Sequence, residues 1–112
     1  MINKLRDWGC DVEEALERFV NDQELYCTCF SMFLADDSFN ALKQSVECGN
    51  CKASFEACHT LKGVAGNLGA GPLYAEICVL TEKLRSGNLD DVMHHVENIF
   101  KYRDEALNLI AG

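Results

Sequence analysis

His59, Lys62, Gly63 and Gly66 stand at a spacing that could carry a phosphoryl group. A neutral imidazole has a nucleophilic nitrogen near physiological pH. An ammonium at (i, i+3) on a helix is its surface neighbour, able to hold the oxygens of a phosphoryl group attached to the ring. That chemistry needs a helical segment with the histidine turned away from the core. At about 100° per residue, Ala57, Leu61, Val64 and Leu68 fall in one stripe, with Ser54, Cys58 and Ala65 at its edge. His59 points roughly the opposite way, beside Phe55, Lys62, Gly63 and Gly66. A glycine inside a helix costs about 1 kcal/mol relative to alanine, and a small domain has only about 5–15 kcal/mol in all. Close approach of a partner over bare backbone is one cause that offsets the cost; tight packing against a neighbouring helix is another. Both glycines share the face of His59, which favours partner access.

The elements that must position this face follow from punctuation and periodicity. A short amphipathic helix is predicted over residues 12–19. Asn21 is the expected N-cap of the next, with Glu24 at the capping-box position and Leu25, Phe30, Phe33 and Leu34 following. Asp36 and Asp37 offer a further cap, with Phe39, Leu42 and Val46 on one side and Gly49 as stop. Asn50 can cap the histidine helix, which ends at Gly69 or Gly71. Pro72 suits the first turn of a helix carrying Leu73, Ile77, Leu80 and Leu84 to Gly87. Asn88 is the expected cap of the last, with Asp90 and Asp91 in its first turn and a stripe of Leu89, Val92, Met93, Val96, Ile99, Phe100 and Leu107. No run alternates with period two, so no strand is expected. Short connections between helices favour antiparallel neighbours. The predicted fold is all-α, an up-down antiparallel four-helix bundle with an additional short N-terminal helix, one domain over residues 1–112 with its bundle core at about 21–110.

At 112 residues with 48% hydrophobic and 25% charged residues, the chain suits one soluble globular domain. A net charge of −8 argues against nucleic acid and anionic membranes, which are met by clustered Lys and Arg. No stretch approaches the roughly 18 apolar residues of a membrane span. Lys4, Arg6 and Asp7 lead into no signal-peptide core, so a cytoplasmic location is expected. Acids crowd the N-terminal part (Asp7, Asp11, Glu13, Glu14, Glu17, Asp22, Glu24), whereas residues 51–72 hold only Glu56 against Lys52 and Lys62. The histidine segment is thus mildly positive, as a site for an anion should be. An initial Met and a compact end at Gly112 suit a free-standing protein and equally a domain excised from a larger sensor kinase; a monomer is expected.

Other residues offer competing chemistry. Seven cysteines, an odd count without a secretory signal, are expected to be reduced thiols. Cys48 and Cys51 form a C-x-x-C, with Cys58 and His59 downstream, but no second paired cluster completes a zinc site. Cys58 and His59, adjacent on a helix, point about 100° apart. Cys27, Cys29, Cys58 and Cys78 sit among apolar residues, as small hydrophobes do. His94 and His95 lack a lysine one turn on and are expected to be ordinary surface residues. Residues 66–71, although Gly-rich, follow no strand and do not read as a nucleotide loop.

The run over residues 57–70, Ala-Cys-His-Thr-Leu-Lys-Gly-Val-Ala-Gly-Asn-Leu-Gly-Ala, closely resembles the signature of the histidine-containing phosphotransfer (HPt) domains of bacterial multistep phosphorelays. The resemblance extends over about residues 21–109 in helix order and length. It implies that His59 is phosphorylated on a ring nitrogen, that Lys62 supports the phosphoryl group and that Gly63 leaves room for a receiver domain to dock. Several members place a glutamine on the following helix within reach of the histidine. Counting along the motif puts Thr81 there, whose hydroxyl could give the site a hydrogen bond. The implied protein is a phosphocarrier and not an enzyme, its partners response-regulator receiver domains or a hybrid sensor kinase. It binds no cofactor of its own, Mg²⁺ coming only from the receiver. A non-transferring helical interaction module and a cysteine-based metal or redox protein are the alternatives.

Overall fold

Side-chain caps and glycines divide the chain into helices. A computed structural model describes residues 2–111; Met1 and Gly112, the ends of the expected domain, lie outside them. Among the described residues there are seven helices and no strand: α1 Ile2–Trp8, α2 Val12–Arg18, α3 Gln23–Leu34, α4 Ser38–Glu47, α5 Cys51–Leu68, α6 Gly71–Arg85 and α7 Val92–Ala111. The Asp11, Asp22 and Asn50 carboxylate or amide oxygens accept from the backbone N–H groups of Glu14, Leu25 and Ala53, satisfying donors that a helix start leaves free.

Several boundaries differ from expectation. Two short helices precede α3 where one was predicted; Ile2, Leu5 and Trp8 give α1 its inward side, with Leu5 fully buried. Asp22 and not Asn21 caps α3, because Asn21 adopts a left-handed φ of 59° in the preceding turn. The last helix starts at Val92. Asn88 instead accepts from the N–H of Asp90, Asp91 turns left-handed at φ 61°, and Leu89 is left exposed.

α4 packs on α5, α5 on α6, α6 on α7, and α7 back on α4, so four helices close around one core. α3 lies against α5 and α7, and α1 and α2 close the end near the α5–α6 turn. Leu42, Leu61, Leu68, Leu73, Ile77, Leu80 and Ile99 fill the centre. Edge-on aromatic contacts run from Phe19 through Tyr26, Phe30 and Phe33, then by a tilted pair to Phe39 and on to Phe100, a geometry that adds to simple area burial. The buried Tyr26 hydroxyl donates to the Leu68 carbonyl at 2.7 Å, securing the end of α5.

The buried stripe of α5 is Ser54, Cys58, Leu61, Ala65 and Leu68. Val64, expected at its centre, is 41% exposed, and Ala57 is half-buried. Small residues at 54, 58 and 65 let α4 and α6 approach closely, which rotates the inward face away from Val64.

The N-terminal segment is sewn to the α5–α6 turn by backbone. The Asp11 N–H donates to the Gly69 carbonyl at 3.0 Å. A Cβ on Gly69 would stand 2.7 Å from the Asp11 carbonyl oxygen, and one on Gly71 2.7 Å from the carbonyl group of Gly9. Gly69 also takes a left-handed φ of 61°. Gly69→Ala should therefore lower stability by about 2 kcal/mol, left-handed strain plus the clash. Urea unfolding followed by circular dichroism measures this; an unchanged midpoint would show that the joint yields.

Candidate functional site

The face of α5 opposite its buried stripe carries His59, and the structure leaves the ring exposed. The imidazole lies over Phe55, its ring centroid 5.8 Å away and the planes 22° apart. The Arg85 guanidinium covers the same phenyl ring at 5.6 Å and pairs with Glu82 at 2.8 Å. A stack of guanidinium, phenyl and imidazole thus reaches from α6 to the histidine. Neither ring nitrogen of His59 has a hydrogen-bond partner among the described residues, so both are open to another molecule. Lys62, half-buried one turn on, forms no ion pair among the described residues. Its charge is uncommitted.

The two helix glycines differ. Nothing lies within 4 Å of where a Cβ on Gly63 would be, so its missing side chain leaves backbone bare to solvent. At Gly66 a Cβ would come 3.1 Å from the Tyr74 ring. Packing of α6 thus accounts for Gly66, and the open floor is narrower than its sequence face suggests. A shallow concavity of about 390 Å³ lies over this floor, where Arg18, Lys62, Gly63, Gly66 and Tyr74 join His59.

Thr81 does not reach the imidazole. It is fully buried, its hydroxyl donates to the Ile77 carbonyl at 2.7 Å, and it meets Cys58 Sγ at 3.0 Å. Position 81 thus faces the α5 stripe and not the histidine side. Burial pushes the Cys58 thiol up to about 11, so it packs as a neutral group.

His95 departs from the surface role expected of it. Its Nδ1 lies 2.7 Å from Glu76 Oε1, both side chains being 17% exposed, and Asn98 donates to the same carboxylate oxygen. His94 is exposed. All seven cysteines are free. Cys48 ends α4 on the surface, and Cys51 starts α5 with its thiol directed at the Leu84 carbonyl. Among the described residues no three His, Cys, Asp or Glu side chains gather to hold a metal ion.

The family model of the Hpt domain matches residues 31–111. The chain belongs to the Hpt domain family. The crystal structure of histidine-containing phosphotransfer protein B (HptB) from Pseudomonas aeruginosa PAO1 is similar in fold, with a TM-score of 0.80 over 92% of this chain and 91% of that one at 20% identity. No curated protein sequence matches significantly. The Hpt match opens inside α3, so α1, α2 and Arg18 lie before it. Arg18, Tyr74 and Arg85 lie around His59 in a way that spacing could not reveal, because each arrives from another helix; nothing in their local sequence marks them.

Proposed function

We propose that this Hpt domain is a phosphocarrier of a multistep two-component phosphorelay. His59 accepts a phosphoryl group from the aspartyl phosphate of a receiver domain, or from a sensor kinase, and passes it to the aspartate of another receiver. The observation that carries the reading is an exposed, unpartnered imidazole with an uncommitted ammonium one turn on and bare backbone at Gly63 beside it.

A ring-nitrogen lone pair attacks phosphorus, the phosphorus–oxygen bond to the aspartate breaks, and the carboxylate leaves with that electron pair. The ring proton stays on the other nitrogen. Onward transfer reverses these events on a second carboxylate. Such transfers depend on in-line positioning and on neutralising the equatorial oxygens; the Phe55 stack supplies the first and Lys62 the second. Mg²⁺ and the acidic pocket belong to the receiver in this reading, and the chain holds no cofactor of its own. The Gly-rich residues 66–71 belong to the end of α5, the turn and the start of α6, with no nucleotide loop among them, which supports a carrier that does not phosphorylate itself from ATP.

The same reading takes residues 1–112 as one domain with its bundle core at about residues 21–110, an up-down antiparallel four-helix bundle with additional short N-terminal helices; the short connections and closed packing order of α4–α7 support it. It takes the chain as a cytoplasmic monomer that binds neither nucleic acid nor membrane. The charge of −8 supports the absence of binding to nucleic acid and anionic membranes, and no helix among the described residues is long and apolar enough to cross a membrane.

The test is to mix the chain with receiver domains of its own organism carrying radiolabelled aspartyl phosphate. Label should move to this chain and survive base but not acid, as a phosphorus–nitrogen bond does. No transfer from any receiver would leave a helical interaction module instead. Phe55→Leu keeps bulk but removes the stacking face, and should slow transfer about threefold, as expected for losing one aromatic pair. Equal single-turnover rates would show that the stack does not orient the imidazole.

A further inference from the structure

We propose that Arg18 is a further cation of the His59 face, contributed by α2, and that it contacts the acidic rim of the docked receiver. The proposal rests on the phosphotransfer reading and extends it to residues the family match does not cover.

Arg18 lines the concavity that holds His59 and Lys62. Its guanidinium donates to the Asn67 carbonyl at 3.3 Å and to Glu14 Oε1 at 2.7 Å, while 42% of the side chain stays exposed. A guanidinium has five N–H donors, so some remain for an outside acceptor. Its place is fixed. Val12 and Ala15 are buried, and the Asp11 N–H is bonded to Gly69, so α2 is held at the end of α5. Asn67 lies eight residues beyond His59, roughly 12 Å along the helix axis. Arg18 is therefore too far to hold the phosphoryl oxygens and stands where a protein seated over His59 must rest its edge.

Charge complementarity names that edge. Lys62 lies at one end of the Gly63 floor and Arg18 at the other, with Lys52 exposed on the same face of α5. Against these three cations stand Glu56, exposed one turn before His59, and Glu14, paired with Arg18, so the face is mildly basic within a chain whose net charge is −8. A receiver seated over His59 extends beyond its phosphoryl pocket, and in this proposal an acid of that margin, not of the pocket, lies opposite Arg18. The planar fork of arginine matches a carboxylate in two parallel bonds, as a lysine cannot. The exposed pair with Glu14 is of a weakly held kind, so Arg18 can exchange Glu14 for a partner's acid. Opposite charges at a rim speed encounter and make it sensitive to salt.

The experiment measures single-turnover transfer from the phosphorylated receiver that serves the wild-type chain best. Arg18→Gln should raise the receiver concentration for half-maximal rate on the order of threefold, leave the maximal rate unchanged and flatten the dependence on salt. Arg18→Lys should recover the salt dependence and only part of the affinity. Labelling by phosphoramidate, a small donor that gives its phosphoryl group to imidazole with loss of ammonia, should be unchanged in both variants. An Arg18→Gln chain with wild-type half-saturation and salt dependence overturns the proposal while leaving His59 in place. A fall in phosphoramidate labelling also overturns it, by showing that Arg18 supports the local fold. If the wild-type chain takes no label from any receiver, the phosphotransfer reading fails and this proposal with it.

Discussion

His59→Gln should abolish label acquired from a phosphorylated receiver and leave the helical circular dichroism unchanged. Glutamine keeps a polar side chain of similar length and is a better helix former than histidine, but it has no nucleophilic ring nitrogen. The fold should not notice. His59 is exposed and, among the described residues, makes no side-chain hydrogen bond and stacks on Phe55 alone, so the stability change should fall within about 0.5 kcal/mol. The loss is therefore chemical. His94 and His95 remain in the variant as internal controls: His94 is exposed, and His95 is tied to Glu76. Acid-labile label persisting in His59→Gln would move the acceptor to one of them.

Gly63→Gln changes two quantities in opposite directions. Gly63 has no positive φ and no atom near its missing Cβ, so nothing inside the molecule requires glycine. Glutamine should raise stability by about 0.5–1 kcal/mol through helix propensity alone. Side chains on a helix lie over the turn N-terminal to their own Cα, here the turn bearing His59. A docked receiver would be lifted from its seat, and displacement by about 1 Å can cost 10²-fold in rate. Transfer should fall by about 10- to 100-fold, with Gly63→Ala between. The two measurements are urea unfolding and single-turnover transfer. A stabilised variant with wild-type transfer would show that the receiver does not approach over this backbone.

What is legible in the sequence is what one helix carries by itself. His59, Lys62 and Gly63 lie within five consecutive positions, and their common face follows from helical geometry. Asn50, Gly69 and Pro72 likewise announce their boundaries locally. The rest depends on contacts between helices. Gly66 looks like Gly63 in the sequence and is told apart only by the Tyr74 ring above it. Val64 fits the apolar stripe as well as Leu61 does, until small residues on α5 draw its neighbours in and leave it outside. Thr81 sits at the counted position, but its hydroxyl turns to Ile77 and Cys58. α1, only seven residues long, owes its helix to packing against the chain's far end, where the Trp8 indole donates to Glu105. A Ser-, Asn- or Asp-rich turn offers several caps of similar quality, so Asn21 against Asp22 is settled by backbone geometry and not by residue type.

The seam between Gly9–Asp11 and Gly69–Gly71 is made of main chain, with no room even for a methyl group. A joint of that kind asks only for glycine at its crossings and is indifferent to what the neighbouring solvent-facing residues are. The outer surface of the first two helices can therefore change in sequence without loosening its attachment beside the His59 face, so an appendage of about twenty residues stays in register with the bundle whatever side chains it shows to solvent.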